Sequence, residues 1–88
     1  MKRAEVTIVN RLGLHARPSA AFTQLATRFA SEVFLSKGSR RVNGKSIMGV
    51  MMLAAECGSS LQLRADGADA EQALDALSTL IANKFGER

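Results

Sequence analysis

The only histidine of this chain, His15, stands in the hexapeptide Gly13-Leu14-His15-Ala16-Arg17-Pro18. A phosphoryl group on an imidazole nitrogen calls for three things: a neutral nucleophilic ring, amide donors for the phosphoryl oxygens, and a cation that keeps its proton. Pro18 is the mark of a helix start, because a residue without an N–H is tolerated where amides have no intrahelical acceptor. His15 then falls in the N-cap region, and the backbone amides of Ala16 and Arg17, at the positive end of the helix dipole, face whatever the ring carries. The Arg17 guanidinium can fork onto phosphoryl oxygens in a transition state governed by positioning and electrostatics. Spacing alone fits equally a solvated cap histidine beside a surface arginine.

A second block, Ser46-Ile47-Met48-Gly49-Val50-Met51-Met52, has the pattern of a short helix from Ile47 to about Leu53 with Ser46 as its N-cap. It carries more large apolar side chains than one buried face can hide. Ile47, Met48 and Met51 are therefore expected to form an exposed patch, where adaptable methionines suit docking on differently shaped proteins. Met52 is expected mainly in the core, and Met51 could serve either way.

The elements that must hold these blocks follow from hydrophobic period, in the order β-α-β-β-α-β-α. Val6 and Ile8 mark a first strand ending at Asn10-Arg11-Leu12-Gly13. Phe22, Leu25, Ala26 and Phe29 place an apolar stripe on a helix from about Ala16 to about Phe29. Val33 and Leu35 mark a second strand, turned at Lys37-Gly38-Ser39 into a short third strand around Val42. Leu61, Leu63 and Ala65 alternate with Gln62, Arg64 and Asp66 in a fourth. The last helix carries Ala70, Ala73, Leu74, Leu77, Leu80 and Ile81 and ends near Gly86, and the Asp69/Gln72 spacing resembles a capping box. The fold class is α+β, an open-faced sandwich with three helices on one face of a four-stranded antiparallel sheet.

Eighty-eight residues, 47% hydrophobic and 23% charged, are expected to make a single domain over 1–88. No apolar run approaches the roughly 20 residues of a membrane span, and no secretory signal is visible, so a cytoplasmic protein without membrane insertion is expected. Cys57 has no cysteine partner and reads as a small semi-buried filler. The net charge of +4 is uneven: residues 1–60 hold nine Lys/Arg against Glu5, Glu32 and Glu56, whereas residues 61–88 hold three against five acids. Without Trp or Tyr for base stacking, this basic front suits an acidic protein better than nucleic acid, and no nucleic-acid partner is expected. No metal cluster or nucleotide-binding glycine loop is visible, so no cofactor is expected.

Both blocks resemble the signatures of the histidine-containing phosphocarrier (HPr) family of the bacterial phosphoenolpyruvate-dependent phosphotransferase system. Gly13 to Pro18 is similar to the family's active-site signature, and Val42-Asn43-Gly44-Lys45-Ser46-Ile47-Met48-Gly49-Val50-Met51 to its serine-containing one. The resemblance covers the whole chain. It implies an open-faced sandwich in which His15 accepts a phosphoryl group on Nδ1 from enzyme I and donates it to enzyme II A-type components. Arg17 and the amides of Ala16 and Arg17 would assist. It further implies a possible serine kinase/phosphorylase acting on Ser46. The apolar patch and the basic front together are expected to form the docking surface, with Ile47, Met48 and Met51 near its centre, Ala20 and Gln24 beside them, and Arg17, with Arg28 and Lys45 as possible additions, around the rim. A monomeric covalent carrier, rather than an enzyme, is expected. The nitrogen-related branch of the family, with a regulatory role, and a basic binding module that moves no phosphoryl group are the competing readings.

Overall fold

The computed structural model describes residues 2–86. Its elements are β1 (Lys2–Thr7), α1 (Ala16–Ala26), β2 (Glu32–Lys37), β3 (Arg40–Asn43), α2 (Ile47–Met52), β4 (Ser60–Asp66), α3 (Ala70–Ala82) and a 3₁₀ turn (Lys84–Gly86). All strand pairs are antiparallel, in the order β1-β4-β2-β3.

Alternation sets the register. Leu61, Leu63 and Ala65 are buried while Ser60, Gln62 and Asp66 are exposed, so a slip of one residue would turn the apolar set of β4 to water. Leu35 lies opposite both Leu63 and Val42, and Val6 opposite Leu61, which continues one apolar layer across the sheet. The β1 ladder closes at Thr7, yet the Ile8 amide donates to Ser59 O at 2.9 Å and Gly58 N to Ile8 O at 2.7 Å, and Ile8 is fully buried. The β2–β3 hairpin turns on Gly38-Ser39, with φ +60° at Gly38 as a type II′ turn requires of its first residue.

Against this layer pack Phe22 and Ala26 of α1, Val50 of α2, and Ala73, Leu74, Leu77 and Ile81 of α3. Helix α1 contacts α2 on one flank and α3 with the 3₁₀ turn on the other. It is the middle helix of the layer.

Three expectations need correction here. Helix α1 stops at Ala26, because the amides of Arg28 and Phe29 donate to carbonyls only three residues back, Leu25 O and Ala26 O. Phe29 keeps its helical spacing since its ring still packs on the core from that tightened turn. Helix α3 stops at Ala82 rather than near Gly86, because Lys84, Phe85 and Gly86 all take positive φ (+58°, +56°, +79°) and fold the buried Phe85 ring inward.

The third correction concerns Asp69, whose side chain makes no cap bond to α3. It accepts instead from the amides of Ala30 and Ser31, both at 2.9 Å, and from the Ser31 hydroxyl. Gly67 makes room for this clamp, since a Cβ there would lie 2.5 Å from Ser31 Oγ. The Ser31 hydroxyl, followed by the Ala30 amide, holds the Asp69 carboxyl below its ordinary pKa.

Candidate functional site

The loop before α1 is fixed by its own backbone. Asn10 is fully buried and donates from Nδ2 to Gly13 O at 2.7 Å, while Leu14 N donates to Ala55 O at 2.9 Å. Gly13 has φ +70°, and a Cβ on it would stand 2.4 Å from Ala55 O, so only glycine fits. Leu14 is buried and anchors the loop from below.

His15 follows directly and is the N-cap of α1, with extended backbone (φ −86°, ψ −167°) and a half-buried side chain. Its carbonyl accepts from Ser19 N at 3.0 Å, but its side chain makes no cap hydrogen bond. Among the described residues, the amides of Ala16 and Arg17 have no hydrogen-bond partner, and Pro18 offers none to satisfy. Ala16 and Arg17 are both exposed. The loop and the first turn thus present an imidazole, two open amides and a guanidinium at one helix end.

Ser46 opens α2 as expected: its Oγ accepts from Gly49 N at 3.1 Å and its carbonyl from Val50 N at 3.0 Å. Of the helix it starts, Val50 is the buried residue. Ile47, Met48 and Met51 are 43%, 70% and 38% exposed. Met52 is 62% exposed, against the expectation that it serves the core; in a helix of six residues only one direction faces the sheet, and Val50 occupies it. Cys57 is likewise exposed rather than semi-buried, in the turn before β4.

Of the remaining expected docking residues, Gln24 is exposed and Ala20 half-buried on α1, the helix that packs beside α2. Arg28 is exposed. Lys45 is partly committed, since its Nζ donates to Phe29 O at 2.7 Å. Arg40, which the sequence did not single out, donates to Met52 O at 2.8 Å and so closes the carboxyl end of α2 with a cation.

A cleft of about 440 Å³ next to Arg17 also escaped the sequence; it is lined by Arg11, Leu12, Arg17, Pro18, Ala21, Phe85 and Gly86. Among the described residues, Leu12, at 73% exposure, is the most open of the large apolar side chains. A bulky apolar residue in a four-residue turn was the available signal.

The family profile described as the PTS HPr component phosphorylation site matches residues 2–83. This chain belongs to the HPr family. A phosphocarrier protein HPr of Cupriavidus necator is 58% identical over 87 residues, covering 99% of this chain and 98% of that one. The crystal structure of HPr-C-His from Thermoanaerobacter tengcongensis superposes with a TM-score of 0.96 at 46% identity, covering 100% and 99% of the two chains. A crystal structure of an HPr dimer from the same organism has a TM-score of 0.80 at 47% identity, covering 99% and 100%. The HPr fold expected from the signatures is the fold observed: four antiparallel strands backed by three helices. Among the described residues, no helix is long and apolar enough to cross a membrane.

Proposed function

We propose that this chain is the phosphocarrier of a phosphoenolpyruvate:sugar phosphotransferase system, with His15 as the residue that carries the phosphoryl group. The observation that carries the reading is the helix start at His15. A half-buried imidazole, two amides without acceptors and an exposed arginine lie together there, after a loop tied down by the Asn10–Gly13 and Leu14–Ala55 hydrogen bonds.

In the uptake step, a ring nitrogen attacks the phosphorus of phosphorylated enzyme I. A P–N bond forms on His15 as the bond to the donor breaks, and the donor leaves with its electron pair. The resemblance puts the new bond on Nδ1. The Arg17 guanidinium and the amides of Ala16 and Arg17 balance the charge on the equatorial oxygens. Passage to an enzyme II A-type component reverses the geometry, and His15 is restored. The chain is altered and regenerated once per cycle, so it acts as a covalent carrier rather than as an enzyme.

The exposed Ile47, Met48 and Met51, bordered by Ala20 and Gln24 of the neighbouring helix, supply a docking surface reused by successive partners. Ser46 at its edge is a candidate for regulatory phosphorylation by a serine kinase. A monomer suffices for this cycle, which would run in the cytoplasm, where phosphoenolpyruvate is made.

Incubation with phosphoenolpyruvate and enzyme I should add one acid-labile, base-stable phosphoryl group, located on His15 by mass spectrometry and phosphorus NMR. His15→Ala should abolish uptake and keep the fold. A full acid-labile signal in that variant would refute the assignment.

A further inference from the structure

The docking surface described so far lies on the α2 flank of α1. The cleft of about 440 Å³ lies on the other flank, because Ala21 and Pro18 meet Phe85 and Gly86 there, and the 3₁₀ turn packs on α1 away from α2. Its walls are of two kinds. Arg11 and Arg17 are exposed, and neither guanidinium has a hydrogen bond or ion pair among the described residues. Leu12, Pro18, Ala21 and Phe85 supply apolar surface between and below them.

Leu12 is the most informative of these. Its 73% exposure is not forced by a short loop, since neighbouring Asn10, Gly13 and Leu14 in the same turn are all buried. The loop carrying it is anchored on both sides by the Asn10–Gly13 and Leu14–Ala55 bonds, so Leu12 and Arg11 are presented between two fixed points, three and four residues before His15. A solvated leucine beside two guanidiniums that are unpaired among the described residues lacks a counterpart within the described chain. Its complement is a surface with a carboxylate and an apolar side chain side by side.

From this we infer that the cleft is a second docking site, which receives an acidic, apolar-flanked segment of the phosphoryl donor protein. The carboxylate seats between Arg11 and Arg17, and the apolar neighbour seats against Leu12 and Phe85. The inference rests on the phosphocarrier reading and adds to it that a partner grips both flanks of α1, with His15 at the end of the helix between them. Arg17 belongs to both the transfer site and the cleft, whereas Arg11 and Leu12 belong to the cleft alone.

The test measures the second-order rate of phosphoryl uptake from phosphorylated enzyme I by wild type, Arg11→Glu, Leu12→Ser and, as a comparator on the other flank, Met48→Asp. Circular dichroism melting confirms that each variant is folded. Arg11→Glu should slow uptake roughly 3- to 10-fold at low salt and approach wild type at about 1 M salt, where the Debye length is about 3 Å. Leu12→Ser should slow it roughly fivefold at either salt concentration, through lost apolar contact.

Phosphoramidate, which transfers a phosphoryl group to imidazole without a protein surface, separates the two levels of the argument. Failure of wild type to gain phosphohistidine from either donor would sink the carrier reading itself. Wild-type rates in both cleft variants would overturn the cleft proposal alone. So would an equal slowing with phosphoramidate, which would place the effect on His15 chemistry and not on docking.

Discussion

Helices α1 and α2 both start at a residue with extended backbone and a polar side chain, but the two starts use their polar groups in opposite ways. Ser46 turns its hydroxyl inward onto Gly49 N, as a helix cap does. His15 makes no such bond; the amides of Ala16 and Arg17 stay open after it, as those of Ile47 and Met48 do after Ser46, and the third position is Pro18, which has no N–H to cap. Two open first-turn amides are common to both starts, and the difference lies in the cap side chain: the Ser46 hydroxyl is engaged as a cap, whereas the His15 imidazole does not cap and stands beside open donors of the kind an anion uses. Helix α3 offers a third arrangement, in which Asp69 spends its carboxylate on Ala30 and Ser31, beyond its own helix.

The largest effect should fall at the start of α1. Arg17→Ala, leaving the fold and melting temperature near wild type, should slow transfer by 10- to 1,000-fold if the guanidinium contributes ~1.4 to 4 kcal/mol to the transition state. Rapid-quench measurement of phosphohistidine formation checks this. Unchanged transfer would make α1 as purely structural as α2 and erase the contrast.

Next comes Asp69→Ala, which strips acceptors from two amides and a hydroxyl at once and should lower the melting temperature at neutral pH. Because hydrogen bonds to the carboxylate hold its folded-state pKa below the ordinary 3.8, its contribution is complete above that value. It is lost as pH falls through the lowered folded-state pKa. Wild-type and variant melting temperatures should therefore be separated at neutral pH and converge in strong acid. A constant separation down to the lowest pH would show that the carboxylate charge is irrelevant to the clamp.

These starts also show what a sequence can and cannot disclose. The strands and helix faces were legible because alternation in β4 and the 3.6-residue stripe in α3 are imposed locally by which side meets water. The Ser46 cap was legible for the same reason, as its acceptor and donor are three residues apart. Asp69 was misleading: Gln72 stands at the spacing of a capping box, but the competing donors come from residues 30 and 31 and are adjacent only in the fold. The site was half visible. His15, Arg17 and the α2 patch lie in contiguous blocks, whereas the cleft beside Arg17 needs Phe85, delivered by three successive positive φ values that no apolar periodicity encodes. Met52 was misplaced because a six-residue helix has too few turns for periodicity to fix its buried direction.

A smaller and cleaner contrast comes from removing each N-cap side chain. Ser46→Ala should cost about 1 kcal/mol, as loss of a serine cap usually does, or roughly 4 to 8 °C in melting temperature for a domain of this size. His15→Ala breaks no cap bond and should keep the fold. Calorimetry of the two variants compares them, and an unchanged melting temperature in Ser46→Ala would mean that its cap bond adds nothing to stability.

The finest distinction is between removing the Ser46 hydroxyl and charging it. An aspartate at this position can still accept from Gly49 N, and a negative charge is favoured at a helix N-terminus, so Ser46→Asp should melt within a degree or two of wild type. What changes is the surface. Ser46 stands directly before exposed Ile47 and Met48 and next to Lys45, on the basic front of the chain, so a new anion there meets like charge on an acidic partner and must be partly desolvated as the interface closes. Uptake from phosphorylated enzyme I should fall severalfold at low salt, chiefly through slower association, and part of that loss should be recovered at high salt as the repulsion is screened. Stopped-flow transfer at two salt concentrations separates the outcomes. A lowered melting temperature would mean that aspartate fails as a cap, whereas wild-type rates at both salts would leave Ser46 with a structural role alone.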